Sequence, residues 1–380
     1  MRRSLVYFII GFLFSLFSVS LLLGSCVIKP KVSIADFDME MMSQEDKKVT
    51  PIYKMGKYAS PFPPDEPSGI TPFRAHFQGK KAVTRPPKPL PVNDISISEV
   101  FPDDDTGLYV TWLGHSSILL QINGIRIFID PVFTDNISPI PFIKIKRYQA
   151  KNPILDIDLP ELDAVVISHS HYDHLDKKAI KALKNKTKFF ITPENVGKYL
   201  EKWGVEEHKI KEFSWWEEGV LYGQNEKLLT FICTPARHFS GRGLYSINNS
   251  LWASFLFFSE NLKVFYSGDT SYSFHFKQIG YHYGPMDLAL MECGQYNEAW
   301  LESHQMPEES VKANLDVQAK YLLPIHWGSF TLAKHDWWEP VERAYTEAEI
   351  LDIDILTPRV GQTLLINENT ITNKWWEEYK

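Results

Sequence analysis

Three histidines and one aspartate lie within six residues, in the segment His-Ser-His-Tyr-Asp-His at positions 169–174. This segment follows a short apolar run that is typical of a buried strand. In an extended chain residues i and i+2 point the same way, so His169 and His171 can bind one metal ion. A turn would then bring Asp173 and His174 towards a second ion. Because zinc takes neutral imidazole and carboxylate ligands, the sequence predicts a zinc centre here.

The same segment resembles the His-x-His-x-Asp-His signature of the metallo-β-lactamase fold. The resemblance implies an α/β protein, built as a four-layer αββα sandwich, with further ligands that each follow a strand. His238, Asp269 and His326 meet this expectation, because each comes soon after an apolar run and they occur in the expected order. The resemblance assigns one zinc ion to His169, His171 and His238, the other to Asp173, His174 and His326, and a bridging role to Asp269.

The chemistry of such a centre is hydrolysis. Two metal ions about 3.5–4 Å apart can lower the pKa of a shared water and polarise a phosphoryl or carbonyl oxygen. The expected nucleophile is therefore metal-bound water, with no covalent intermediate on the enzyme. The sequence has no Gly-x-Ser-x-Gly and no Gly-x-x-x-x-Gly-Lys segment, which argues against a serine nucleophile elbow and a phosphate-binding loop. Imidazole and carboxylate groups also bind iron and manganese, so the identity of the metal is left open.

Several further segments narrow the resemblance to N-acylphosphatidylethanolamine-hydrolysing phospholipase D and its bacterial relatives. The resemblance implies cleavage of a phosphodiester bond in a membrane phospholipid. A more distant resemblance to L-ascorbate-6-phosphate lactonases leaves open a soluble sugar-phosphate lactone, or another ester such as a β-lactam, as the substrate. A third alternative is a non-catalytic envelope protein with structural metals. The segments lie within about residues 58–365, at 111–117, 130–133, 234–244, 251–254 and 326–330.

Three residues outside the ligand set are candidates for other roles. His304 matches a family histidine that lies near the metals without binding them, and it could protonate the leaving group or hydrogen-bond a phosphoryl oxygen. We therefore predict His304 and the ligand Asp173 as catalytic residues. The alternative for His304 is a solvent-exposed histidine that caps the next helix. Arg237 replaces the glutamine expected between Thr-Pro-Ala and the ligand histidine, and it could bind a phosphate or pair with a carboxylate. His115 could hydrogen-bond to a ligand and so support the site, or it could have no part in it.

The N-terminus has the features of a secretory signal. Arg2 and Arg3 precede an uncharged, largely apolar run at 4–28. The sequence Leu-Gly-Ser-Cys at 23–26 resembles the lipobox of bacterial lipoproteins, which implies cleavage after residue 25 and a diacylated Cys26. The protein would then be anchored in the bacterial cell envelope, outside the cytoplasm. An uncleaved membrane-spanning helix is the alternative, because 25 uncharged residues can cross a bilayer.

Composition divides the chain into three regions. We predict a signal peptide at 1–25, a membrane tether with a proline-rich extension at 26–105, and the hydrolase domain at 106–380. Eleven of the 24 prolines lie at 51–102, so this stretch should be extended or coil, and it either wraps the domain or acts as a spacer. The net charge of −7 offers no general attraction to nucleic acid, and three cysteines are too few for a disulfide scaffold.

Beyond residue 106 the hydrophobic patterns alternate between strands and helices, as expected for a single α/β domain. The Asn123-Gly124 pair predicts a tight hairpin turn between two strands. The predicted strands are at 108–113, 117–122, 125–129, 164–168, 189–192, 228–233, 251–258, 263–267, 288–291 and 321–325, and the predicted helices at 177–184, 196–202 and 307–320.

Overall fold

A computed structural model describes residues 48–64, 82–104, 106–138, 140, 142–223 and 227–380. The predicted signal peptide at 1–25 and the predicted lipidation site Cys26 lie outside these residues. Within the described part of the chain, no helix combines the length and the apolar character needed to cross a membrane.

Strands and short helices alternate along the body of the protein. A small hairpin, formed by β1 (Ile52–Lys54) and β2 (Lys57–Ala59), precedes it. The first half contains α1 (Ile97–Val100), β3 (Leu108–Trp112), β4 (Ile118–Ile122), β5 (Ile125–Ile129), β6 (Leu162–Val166), α2 (Lys177–Leu183), β7 (Thr187–Pro193), α3 (Gly197–Lys202) and β8 (Ile210–Phe213). The second half contains β9 (Glu218–Tyr222), β10 (Leu228–Thr234), β11 (Ser254–Phe258), β12 (Lys263–Tyr266), α4 (His275–Tyr283), β13 (Met286–Glu292), α5 (Pro307–Asp316), β14 (Ala319–Ile325), α6 (Glu339–Ile350), β15 (Asp354–Ile355) and β16 (Thr363–Leu365).

Two seven-stranded sheets form the centre of the molecule. The first has the order β16-β3-β4-β5-β6-β7-β8, and the second has the order β15-β14-β13-β12-β11-β10-β9. In each sheet one half is antiparallel and the other half is parallel, from β5 to β8 and from β12 to β15. Parallel neighbours end at the same edge of a sheet, so residues that follow β12, β13 and β14 are brought close together.

The two sheets pack face to face, and helices cover their outer faces. Successive side chains of a strand point to opposite faces. In β4, Leu120 therefore joins the core between the sheets with Phe255, whereas Leu119 packs outwards with Ile180 of α2 and Leu200 of α3. Helix α5 packs on β13 and β14, and α6 packs on α5 and β15. These layers confirm the predicted α/β fold class, a four-layer αββα sandwich.

Local backbone geometry explains why the predicted hairpin turn at Asn123-Gly124 is confirmed and why the helix predicted at 307–320 is too long. Asn123 and Gly124 both have positive φ, 49° and 78°, which is the geometry of the tight hairpin turn between β4 and β5. The predicted helix at 307–320 is too long, since α5 ends at Asp316. Gln318 has a φ of 59°, which a right-handed helix cannot accommodate, and the chain turns there into β14.

The described parts of the proline-rich extension pack against the body. The ring of Phe62, which is 6% exposed, lies 6.0 Å from the ring of Trp215 and 5.3 Å from that of Phe274. Tyr58 donates a hydrogen bond of 2.9 Å to the carboxylate of Glu194. Of the two alternatives for this stretch, wrapping therefore describes residues 48–64, which we call the N-terminal strap.

Phe62→Ala tests whether the N-terminal strap belongs to the folded unit. The substitution should lower the free energy of unfolding by about 3–5 kcal/mol, because it leaves a cavity beside Trp215 and Phe274. Met55→Ala is the control, since Met55 in the same strap is fully exposed and its replacement should change stability by less than about 0.5 kcal/mol. Urea unfolding followed by tryptophan fluorescence measures both. Equal stability of the two variants would contradict a folded strap.

Candidate metal centre

The predicted ligands lie in four loops that follow strands. The segment 169–174 follows β6, and His238 follows β10. Asp269 follows β12 and His326 follows β14. Because β12 and β14 flank β13 in a parallel arrangement, their ends lie at the same edge of the second sheet. The structure thus brings all seven predicted ligands together from positions up to 157 residues apart in sequence (326 − 169).

The turn that presents Asp269 depends on the glycine before it. Gly268 has a φ of 58°, in a region that residues with a side chain rarely adopt. A Cβ atom at this position would also lie 2.7 Å from the carbonyl oxygen of Ala253. Glycine is therefore needed for the chain to pass close to β11 and turn Asp269 towards the histidines.

One group of donors consists of His169, His171, His238 and Asp269. Nδ1 of His171 lies 2.8 Å from Nε2 of His169 and 3.2 Å from Nε2 of His238. Oδ2 of Asp269 lies 3.8 Å from the first of these Nε2 atoms and 3.7 Å from the second. Burial lowers the pKa of His171 to about 3 and holds the pKa values of His169 and His238 well below the usual range. The imidazoles are therefore neutral, as ligands must be.

A second group lies on the other side of the same carboxylate. Oδ1 of Asp269 is 3.1 Å from Nε2 of His174 and 3.0 Å from Nδ1 of His326. Asp173 adds an oxygen 3.5 Å from Nε2 of His174. Burial opposes protonation of His174, but the carboxylates of Asp269, Asp173 and Asp130 together raise its pKa well above the usual value. Each oxygen of Asp269 thus faces a different set of donors.

Several buried polar atoms of the second group lack a well-aligned hydrogen-bond partner, whose place a bound cation could take. Nε2 of His326 is buried and makes no hydrogen bond within the described part of the chain, and the buried Nε2 of His174 and Oδ1 of Asp269, 3.1 Å apart, do not form a well-aligned one. Buried polar atoms without a partner are costly, and they are rare in native proteins. A metal ion would supply the missing partner for such atoms, so the residues present fit the metal centre that the sequence predicts.

Asp130 supports the second group and was not predicted as a site residue. It follows β5, and Nδ1 of His174 lies 2.6 Å from its Oδ2. The same carboxylate accepts hydrogen bonds from the backbone N–H of Ser168 and from the hydroxyl of Tyr266. Such a carboxylate fixes which ring nitrogen of a histidine is free to bind metal. His115 supports the second group through a different residue: its Nε2 lies 2.8 Å from Oδ2 of Asp173.

Arg242 holds the loop that carries four of the predicted ligands. Its guanidinium donates to the carbonyl oxygens of Ser170 and Leu175, over 3.0 Å and 2.6 Å. It also lies 3.9 Å above the ring of Tyr172. These contacts fix both ends of segment 169–174. No local pattern indicates this role, because Arg242 lies more than 60 residues from the loop it binds.

Arg237 lies beside His238 in sequence, and its side chain contacts the N-terminal strap and the loop after β12. Its guanidinium donates to the carbonyl oxygen of Pro63 over 2.8 Å and approaches the Ser271 hydroxyl at 3.4 Å. Its backbone N–H donates to the hydroxyl of Thr270. The structure thus places Arg237 against the N-terminal strap, and its role in binding phosphate stays a prediction.

His304 lies next to the ligand groups, as predicted. Its ring centre is 5.1 Å from that of His238 and 5.2 Å from that of His326. Its Nδ1 lies 3.1 Å from Oε2 of Glu292. Glu292 was not predicted as a site residue. The only signal for Glu292 was an acidic residue at the end of an apolar strand, directly beside the strand that leads to Asp269.

Comparison with known proteins decides the family. The profile of the Beta-lactamase superfamily domain matches residues 125–327, more than half of the chain. The chain belongs to this superfamily. An uncharacterised protein of Mycobacterium tuberculosis, Rv0906, is 40% identical over 301 residues, which are 78% of each chain. N-acyl-phosphatidylethanolamine-hydrolyzing phospholipase D 1 of Caenorhabditis elegans is 34% identical over 67% of this chain and 73% of its own length.

Solved structures agree on the fold. Igni18, a metallo hydrolase from Ignicoccus hospitalis, aligns with a TM-score of 0.52 at 21% identity, over 69% of this chain and 99% of its own. An isothiocyanate hydrolase from Delia radicum gut bacteria aligns with a TM-score of 0.53 at 18% identity, over 67% and 98%. Family membership and the buried donor groups confirm the prediction of a metal-dependent hydrolase that resembles N-acylphosphatidylethanolamine-hydrolysing phospholipase D.

Asp130→Asn tests whether the carboxylate behind His174 prepares the centre for metal. The amide can no longer accept hydrogen bonds from all of its present donors, so metal affinity should fall by about 10–100-fold. Competition with a chromogenic chelator measures the affinity. Asp163→Asn is the matched control, because Asp163 is also buried but lies at the amino end of β6, paired with Lys188. Equal affinities in the two variants would contradict the role of Asp130.

Proposed function

We propose that this protein is a di-zinc phosphodiesterase that cleaves the headgroup side of a membrane phospholipid, as an N-acylphosphatidylethanolamine phospholipase D does. The observation that carries the proposal is Asp269, whose two oxygens face two separate sets of donors 3.0–3.8 Å away. This is the arrangement expected of a carboxylate that bridges two ions. The similarity to the Caenorhabditis elegans phospholipase supports the choice of substrate.

In this proposal each predicted ligand has a stated role. His169, His171 and His238 hold one zinc ion, Asp173, His174 and His326 hold the other, and Asp269 binds both. When bound, the ions would supply an activated water and polarise the phosphoryl oxygen. Iron or manganese would accept the same donors.

His304 supplies the proton that the leaving group needs. In the proposed reaction the water oxygen bonds to phosphorus, and the bond between phosphorus and the headgroup oxygen breaks. Nε2 of His304 takes up the proton lost by the water and passes it to the headgroup oxygen. The products from an N-acylphosphatidylethanolamine are phosphatidic acid and an N-acylethanolamine.

We also infer that Cys26 is lipidated and anchors the protein in the cell envelope, outside the cytoplasm. The support is the basic start, the apolar run and the Leu-Gly-Ser-Cys sequence at 23–26. Tethering would hold the centre beside its lipid substrate at a high effective concentration.

The substrate is tested by incubating the zinc-loaded protein with mixed micelles of N-acylphosphatidylethanolamine and phosphatidylethanolamine. We expect mass spectrometry to detect phosphatidic acid together with the matching N-acylethanolamine. Asp269→Asn should abolish turnover without unfolding the protein, whereas Asp163→Asn should keep it. If the lipids stay intact and a soluble sugar-phosphate lactone is hydrolysed, the phospholipid proposal is wrong and the lactone is the substrate class.

The metal content is tested separately. Chelation followed by dialysis should abolish hydrolysis, and zinc should restore it, with two ions per chain by elemental analysis. Because a metal among buried donors stabilises only the folded state, the midpoint of thermal unfolding should also fall on removal. A fully restored activity with a single ion per chain would contradict the two-ion assignment.

A further inference from the structure

Glu292 is a buried carboxylate that none of the roles above uses. It ends β13, between the strands that lead to Asp269 and His326, and it is completely buried. Oε1 accepts a hydrogen bond from the backbone N–H of Gln305 over 3.1 Å. Oε2 lies 3.1 Å from Nδ1 of His304. Both oxygens are therefore already engaged within the protein.

The backbone of Glu292 is held as firmly as its side chain. Its N–H donates to the hydroxyl of Ser267 over 2.9 Å. Its carbonyl oxygen accepts hydrogen bonds from the Gln305 amide and from the hydroxyl of Ser310, over 2.9 Å and 2.6 Å. With so many partners, Glu292 provides a fixed point against which a neighbouring side chain can be oriented.

His304 is the exposed member of this pair. Its side chain keeps 15% of its surface accessible, whereas that of Glu292 has none. Its ring stacks on that of His326 at 5.2 Å with an interplanar angle of 18°. Because Nδ1 faces Glu292, Nε2 lies on the opposite side of the ring. That nitrogen is the one left to meet a substrate bound at the metal centre.

We propose that Glu292 is a positioning residue: it holds the ring of His304 in one orientation, with the Nδ1–H donated to Glu292 and Nε2 facing the substrate. Nε2 then takes up the proton lost by the attacking water and passes it to the leaving oxygen. The inference rests on the proposed phosphodiesterase function and deepens it. The arrangement repeats the logic of a carboxylate that orients a catalytic histidine in hydrolases with a Ser-His-Asp triad. Glu292 itself does not touch the substrate.

A competing role for Glu292 is metal binding. Donor atoms of Asp269, Glu292, His304 and His326 lie within 4.8 Å of one another and could hold an ion. The contacts favour positioning, because Gln305 and His304 already occupy the two carboxylate oxygens. Metal content therefore belongs in the test.

The test compares a poor with a good leaving group. Glu292→Gln keeps the shape of the side chain but adds an N–H donor, so it no longer restricts His304 to one orientation and one tautomer. With a phospholipid, whose alkoxide leaving group needs a proton, kcat should fall by about 10²-fold or more while KM changes little. With bis(p-nitrophenyl) phosphate, whose leaving group needs none, the loss should stay below about fivefold.

Three further variants separate positioning from structure. In a His304→Ala background, Glu292→Gln should cause no further loss, because its effect passes through the missing ring. Glu292→Asp should recover part of the activity. Glu302→Gln is the matched control, since Glu302 is exposed in the same loop and its replacement should leave both reactions unchanged. Equal losses with the two leaving groups would overturn the proposal.

Two readouts do not depend on activity. Zinc content should be the same in Glu292→Gln and in the unaltered protein, and the loss of an ion would show metal binding instead. The ring ¹⁵N chemical shifts of His304 in the zinc-loaded protein should change in Glu292→Gln. If no phosphodiester is hydrolysed at all, the proposed function fails, and unchanged His304 shifts would then overturn the positioning role independently.

Discussion

The buried carboxylate of Asp269 has imidazoles on both sides, two near each oxygen at 3.0–3.8 Å. Burial raises the pKa of Asp269 to about 6 and lowers the pKa values of most of the surrounding histidines. Charged imidazoles are therefore disfavoured around this point, except at His174, where burial is outweighed by three carboxylates that raise its pKa. The parallel order of β12, β13 and β14 brings these side chains together, because the three strands end at one edge of the sheet, beside the loop after β6.

Each supporting residue acts by removing freedom from a neighbour. Asp130 fixes a ring nitrogen of His174, and Arg242 fixes two carbonyl oxygens of the ligand loop. A hydrogen bond formed away from water is strong, and a buried polar group that loses its partner pays the full cost of desolvation. The hydrogen bonds that satisfy these buried groups therefore also hold the donor atoms in position for a metal. The same interactions stabilise the folded protein and preorganise the candidate metal centre.

The side chains that come together at the candidate metal centre could be predicted because their sequence signals are local. Segment 169–174 carries its own spacing, and each later ligand follows an apolar run, so strand ends alone indicate where the chain returns to the centre. Asp130, Arg242 and Glu292 could not be found in this way, because their roles appear only when distant segments meet. Helix α4 was missed for a similar reason: it is rich in aromatic residues and contains Gly280, where a Cβ atom would lie 1.9 Å from the carbonyl oxygen of Asp316. The edge strands β8, β9 and β16 are short and partly exposed, so their patterns are weak.

The hydrogen bond from Arg237 to the carbonyl oxygen of Pro63 joins the N-terminal strap to the residue directly before His238. Phe62, the neighbour of Pro63, is part of the main apolar core. Residues 48–64 therefore pack as part of the folded body, although they precede the predicted domain boundary at residue 106. Transplanting the body onto another leader without residues 48–64 would discard a partner of its own active-site loop. Any exchange of the N-terminal region between relatives would have to preserve the contacts of Phe62 and Pro63.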